Sequence, residues 1–143
     1  MLHHVSIEVF PADAERWGEL LGLIGYQRIE APAVFEGRLP WYERAGTQVH
    51  LIPTAGATAP PLGHAAFVAA DFDSNVADLE QAGFTVESHS PLWGARRSFV
   101  LAPSGHRVEL METPPPPAVC ADPRPAQRRR AGQPRSPRRR RRT

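Results

Sequence analysis

Four residues of metal-ligand type stand at matching places in the two halves of the first 113 residues. His4 and His64 lie 60 positions apart, and His50 and Glu109 lie 59 positions apart. Imidazole and carboxylate groups together bind Zn, Fe, Mn, Co or Ni, and two histidines with one carboxylate leave open positions on a non-haem iron. The spacing therefore predicts a divalent-metal site built from both halves, with Glu109 also the candidate catalytic group.

Strands are needed to point these side chains in one direction. In the run LHHVSIEV, His4 shares a face with Ser6 and Glu8, and the apolar residues between them take the opposite face. The same alternation surrounds the other three candidates. A curved sheet with its helices outside would present all four inward.

The order of elements predicts a repeat. Gly25 and Gly83, 58 positions apart, each follow a helical pattern and can end it with a positive φ. Strands are expected at 2–9, 26–30, 39–43 and 48–52, and again at 63–69, 85–88, 98–102 and 107–112, with helices from residue 11 and over 71–81. The predicted fold class is α+β, with two βαβββ repeats forming a cup-shaped mixed sheet: repeat one at 1–53, a linker at 54–62 and repeat two at 63–113.

The segments LHHVSIEV, TQVHLIP, GHAAFVAADF and APSGHRVELME resemble the metal-bearing strands of the vicinal oxygen chelate superfamily of glyoxalases, bleomycin-resistance proteins and extradiol dioxygenases. By that resemblance His4, His64 and Glu109 take the three commonest ligand positions, and His50 takes the fourth. The resemblance implies a homodimeric enzyme whose divalent metal (Fe, Mn, Zn, Ni or Co) chelates adjacent oxygens of a small-molecule substrate. The reaction would be that of a lyase, an isomerase or a dioxygenase.

Two departures from the family pattern narrow the range of reactions that the resemblance implies. Glyoxalases usually have Glu where His50 stands, and the final turn carries Ala102 where Asp is common. Glutathione-dependent glyoxalase activity is therefore disfavoured. The alternative is a non-catalytic, antibiotic-binding protein of the resistance type, although such proteins generally lack the ligands that this chain has.

Four further side chains are candidates for contact with a substrate. Trp41, Trp93, Arg96 and Arg97 could line the cup, and a planar guanidinium suits a carboxylate or phosphate. Their alternative roles are core or dimer contacts for the two tryptophans and solvated loop charges for the two arginines.

The last 30 residues differ from the rest in composition. Residues 1–113 carry seven arginines and fourteen acids, a net charge of −7, whereas residues 114–143 carry ten arginines and one acid, a net charge of +9. This Pro/Arg-rich tail is predicted to be disordered. It could bind nucleic acid non-specifically, which is a second alternative function, fold back on the oppositely charged domain, or be an accidental product of GC-rich coding.

Two general features bound the environment. The single cysteine, Cys120, excludes a disulfide within the chain, and no apolar run approaches the roughly 18 residues of a membrane span. No signal-peptide pattern is visible at the N-terminus. The expectation is a cytoplasmic protein with no membrane partner.

Overall fold

A computed structural model describes residues 2–35 and 37–117, and these form the two predicted βαβββ repeats. The α+β fold class is confirmed. The strands are β1 (His4–Val9), β2 (Gln27–Ile29), β3 (Trp41–Arg44) and β4 (Thr47–Pro53), then β5 (Ala65–Val68), β6 (Thr85–Leu92), β7 (Ala95–Leu101) and β8 (Arg107–Met111). The helices are α1 (Ala14–Leu23) and α2 (Phe72–Gln81). From residue 118 onward, the tail predicted to be disordered lies outside the described residues.

Each repeat forms its own four-stranded mixed sheet. The strand orders are β1-β4-β3-β2 and β5-β8-β7-β6. In both sheets the first and last strands of the repeat run parallel, and the other pairings are antiparallel. This topology puts the two ligand-bearing strands of each repeat side by side.

The helices begin and end where local chemistry predicts. Pro11 opens a 3-10 turn that leads into α1, and the Asp71 carboxylate accepts a hydrogen bond from the Ser74 amide at 3.1 Å to cap α2. Gly25 and Gly83 follow the helices with φ of 91° and 81°. None of the described helices is both long and apolar enough to cross a membrane.

One hydrophobic core joins the two repeats. Trp17 and Leu20 of α1 and Leu79 of α2 are fully buried in the same cluster as residues of both sheets. Polar contacts also cross the junction. The Trp17 indole donates to the Pro103 carbonyl at 3.2 Å, and the Asn75 amide donates to the Leu23 carbonyl at 2.9 Å.

The hairpin of β6 and β7 is longer than the sequence predicts. These strands extend to Leu92 and from Ala95, joined by a two-residue turn, whereas the pattern predicted an end at 88 and a restart at 98. Pro91 is unfavourable in the interior of a sheet, so the sequence predicted an earlier end for β6. Proline is tolerated here because β6 is an edge strand. Arg96 and Arg97 therefore lie within a strand, where neighbouring side chains point to opposite faces.

Candidate metal centre

The second repeat brings two of the predicted ligands together. Glu109 lies in the middle of β8, and His64 immediately precedes the neighbouring strand β5. The His64 Nε2 is 3.2 Å from the Glu109 Oε2. Two donors bonded to one ion at about 2.0–2.2 Å are themselves roughly 3 Å apart, so this separation suits a shared metal.

The hydrogen-bond partners of His64 are also compatible with a metal shared with Glu109. Its Nδ1 is 3.2 Å from the Leu62 carbonyl oxygen, while its Nε2 faces the Glu109 carboxylate. Both ring nitrogens therefore face acceptors, and a neutral imidazole has only one N–H to offer. A cation between Nε2 and the Glu109 carboxylate would leave Nδ1–H to donate to the Leu62 carbonyl. Metal-binding histidines commonly donate their other N–H to a backbone carbonyl in this way.

The second oxygen of Glu109 is already paired. The Arg97 Nη1 donates to Glu109 Oε1 at 2.8 Å, and the Arg97 Nε donates to the Ser90 carbonyl at 2.8 Å. The side chains of Glu109 and Arg97 are 8% and 18% exposed, so this ion pair is largely shielded from water. Arg97 therefore contacts a predicted ligand instead of standing free to receive a substrate.

The first repeat holds the other pair in a tighter environment. The rings of His4 and His50 lie 5.1 Å apart, and Trp41 stacks on His50 at 4.2 Å. The Ser6 hydroxyl lies 2.9 Å from His50 Nε2, while His50 Nδ1 is buried without a hydrogen-bond partner among the described residues. Burial, followed by the nearby His4, lowers the pKa of His50 and favours its neutral form. A neutral imidazole with an unpartnered nitrogen is of the type that binds metals, although Ser6 would have to release Nε2 if that atom were the donor.

The two pairs do not join into one cluster. Among residues 2–35 and 37–117, no group of three or more His, Cys, Asp or Glu side chains is arranged to hold a metal ion. The donor types therefore fit a divalent metal, but as two separate halves, His4 with His50 and His64 with Glu109.

The remaining substrate-contact candidates occupy different environments. Trp41 covers His50, as described above, whereas Trp93 is 72% exposed at the tip of the β6–β7 hairpin. The Arg96 guanidinium binds the Asp73 and Glu112 carboxylates. A substrate role for Arg96 gains no support from these contacts.

A groove runs along the junction of the two repeats. It has a volume of about 920 Å³, within the size range of small-molecule sites. Its lining includes residues of β1 and β5, which are edge strands of the two sheets. Among its polar side chains are Ser6, Glu8, His64 and Arg107. One predicted half-site, through His64, therefore opens onto a space that could admit a small molecule.

Two residues near the site escaped the sequence analysis. Phe99 packs edge-on against His64 at 5.0 Å and against His89 at 4.9 Å. His106 contacts the Glu8 carbonyl at 2.8 Å and the Trp17 ring at 5.6 Å. The sequence held a signal for Phe99, because it lies two residues after Arg97 and therefore on the same face of β7. The predicted strand began at residue 98 and left Arg97 out.

Comparison with known proteins adds evidence on the fold. No protein-family model matches the chain, and no curated protein matches it in sequence. Among solved structures, it is similar to a protein from Bacillus anthracis described as of the glyoxalase family, with a TM-score of 0.69 and 22% identity over 78% of this chain and 93% of the other. The chain has the vicinal oxygen chelate fold.

Two further structures agree with that assignment. A glyoxalase/dioxygenase from Nostoc punctiforme has a TM-score of 0.62 and 21% identity over 78% of this chain and 89% of its own. A lactoylglutathione lyase from Agrobacterium tumefaciens has a TM-score of 0.58 and 18% identity over 78% and 92%. At these identities, the vicinal oxygen chelate fold is what the comparisons establish, and the activity has to be argued from the site.

Proposed function

We propose that this protein is a divalent-metal enzyme acting on a small substrate that presents two adjacent oxygens to the metal. The observation that carries the proposal is the His64–Glu109 pair. Both nitrogens of His64 face acceptors, and the 3.2 Å gap to Glu109 suits a shared cation. His4 and His50 supply the second pair of donors.

We further propose that the protein is a homodimer and that each metal is held by the first repeat of one copy and the second repeat of its partner. Each repeat contributes two of the predicted donors, and the described residues contain no group of three or more His, Cys, Asp or Glu side chains that could hold a metal by itself. A twofold dimer uses the same surface of both copies, so it would create two equivalent four-donor sites. This arrangement would explain why one chain carries matched pairs instead of one complete set.

The chemistry divides between the metal and the chain. When bound, a divalent metal acts as a Lewis acid that polarises substrate oxygens. His64 is oriented by its hydrogen bond to the Leu62 carbonyl, and Glu109 is oriented by Arg97. With His50 in place of the usual glutamate, a lyase, isomerase or dioxygenase reaction other than glutathione-dependent isomerisation is favoured.

Metal content of the full-length protein is the primary test. We expect near-stoichiometric Fe, Mn, Zn, Ni or Co by elemental mass spectrometry, falling at least about tenfold in His64→Ala and in Glu109→Gln, because each removes a donor. His89→Ala is the matched control. His89 packs on Phe99 as His64 does, but its ion pair among the described side chains is with Glu87 instead of Glu109. The proposal would be wrong if the wild-type protein stayed metal-free after reloading. It would also be wrong if the His89→Ala control lost as much metal as His64→Ala.

Mixing two double variants tests whether the site is shared. One variant carries His4→Ala and His50→Ala, and the other carries His64→Ala and Glu109→Gln. Neither should bind metal alone, but random exchange of subunits would rebuild one intact site in each mixed dimer, giving about one quarter of the wild-type metal. No recovery in verified mixed dimers would assign the site to a single chain instead.

The alternative function is non-catalytic binding of a small molecule. The groove of about 920 Å³ and the Arg97–Glu109 ion pair, which satisfies the carboxylate without a metal, favour it. A wild-type protein without metal that binds a small molecule in this groove would support the alternative.

A further inference from the structure

The Arg97 guanidinium places a positive charge beside Glu109, the carboxylate that would also bind a metal. Its guanidinium bonds one carboxylate oxygen at 2.8 Å, while His64 faces the other at 3.2 Å. Because the Glu109 side chain is only 8% exposed, its charge would be costly without a partner. The carboxylate is therefore compensated in the chain as it stands.

The position of Arg97 is fixed from a second side. Its Nε donates to the Ser90 carbonyl across the β6–β7 hairpin, and its guanidinium lies 5.7 Å from the centre of the Phe99 ring. Arg96, its neighbour on the opposite face of β7, is held by Asp73 and Glu112 instead. Arg97 alone of the two has the placement to influence Glu109.

We propose that Arg97 is a positioning residue that competes with a divalent metal for Glu109 and leaves only Oε2 for metal binding. This inference rests on the proposed function of the His64–Glu109 pair. A guanidinium keeps its charge at all accessible pH values, so it opposes an incoming dication through like-charge repulsion and through the ion pair that the metal must share. The metal-free protein is thereby stabilised, and metal affinity is held below what the donors alone would give.

Removing Arg97 should therefore have opposite effects on the two forms of the protein. In Arg97→Gln, the metal-free protein loses thermal stability because Glu109 is left with a weaker partner. Co²⁺ should bind at least about tenfold more tightly by chelator competition, and should raise the melting temperature more than it does in wild type. The visible spectrum of bound Co²⁺ should also change if both oxygens of Glu109 become available. A role in packing alone would lower the melting temperature of both forms without tightening Co²⁺ binding.

Two variants serve as controls. Arg97→Lys keeps a charge near Glu109 and should stay near the wild-type affinity, and Arg96→Gln should lose its ion pairs without changing Co²⁺ affinity. If Arg97→Gln proves too unstable to fold without metal, refolding on addition of Co²⁺ measures the same linkage.

The outcomes separate this inference from the proposed function. If wild type binds Co²⁺ and Arg97→Gln binds it equally or more weakly, the role of Arg97 is overturned while the metal site stands. If only Arg97→Gln binds Co²⁺, competition by Arg97 is supported, and the native chain is not a metalloenzyme under these conditions. If neither protein binds Co²⁺, both proposals fall.

Discussion

At the scale of single residues, the site is defined by hydrogen-bond chemistry that residue types alone do not reveal. His64 is notable because both of its nitrogens meet acceptors, and Glu109 because its two oxygens meet different partners. A histidine or glutamate on an exposed strand would face water instead of such fixed partners. A metal at this site would lie between His64 Nε2 and Glu109 Oε2, the two atoms that face each other at 3.2 Å.

Trp93 offers a test at this scale. It adopts φ of 51° in the two-residue β6–β7 turn, followed by Gly94 at 79°. This left-handed conformation costs a bulky residue about 1–2 kcal/mol, and Asn-Gly is the favoured pair in such turns. We expect Trp93→Asn to raise the stability of the protein by about 1 kcal/mol, measured by denaturant unfolding.

Ala45→Asn is the comparison variant, because Ala45 and Gly46 form the equivalent β3–β4 turn with φ of 50° and 79°. Both variants should be stabilised. A loss of stability in Trp93→Asn alone would show that the indole makes contacts outweighing its backbone strain.

At the scale of elements, an ion-pair network ties α2 to the second sheet. Arg96 bonds Asp73 of α2 at 2.8 Å and Glu112, just beyond β8, at 2.9 Å. The hydrogen bonds from Arg96 lower the pKa of Asp73 from its ordinary value of 3.8 and that of Glu112 from 4.5. Arg96 and Asp73 are exposed and Glu112 is partly exposed, so salt should weaken the network.

The sign of the pKa shift fixes the pH dependence of this network. A carboxylate whose pKa is lower in the folded state stabilises the protein above its unfolded pKa, and the contribution disappears as the pH falls through the folded value. We expect Asp73→Asn to lower the melting temperature at pH 7, with the difference from wild type shrinking below about pH 4. In an Arg96→Met background the same substitution should have little effect at either pH. An equal loss at pH 7 and at low pH would point to a cause other than the ion pair.

At the scale of the whole molecule, the two repeats depend on one core. Trp17 of the first repeat is fully buried and donates to the Pro103 carbonyl of the second. Trp17→Ala should cost about 3–5 kcal/mol, because it leaves a large cavity where the repeats meet.

Hydrogen exchange should show that this loss is shared. Amides in β8 should lose protection together with those in β1, because the core cluster spans both sheets. Val34→Ala is the control, since Val34 is 75% exposed and its loss should change stability by less than about 0.5 kcal/mol. Full protection in β8 of Trp17→Ala would mean that the repeats unfold independently.

The sequence by itself determined the two βαβββ repeats and the helix ends at Gly25 and Gly83. These follow from local geometry, because a period of two assigns a side chain to a face and a glycine permits a positive φ. Only the tertiary structure decided that Arg97 pairs with Glu109, that His106 reaches the first repeat and that the two ligand pairs stay apart. Each of these depends on the register between strands or on the position of one sheet relative to the other. Contacts between residues far apart in sequence set both, so the local pattern around each residue does not contain them.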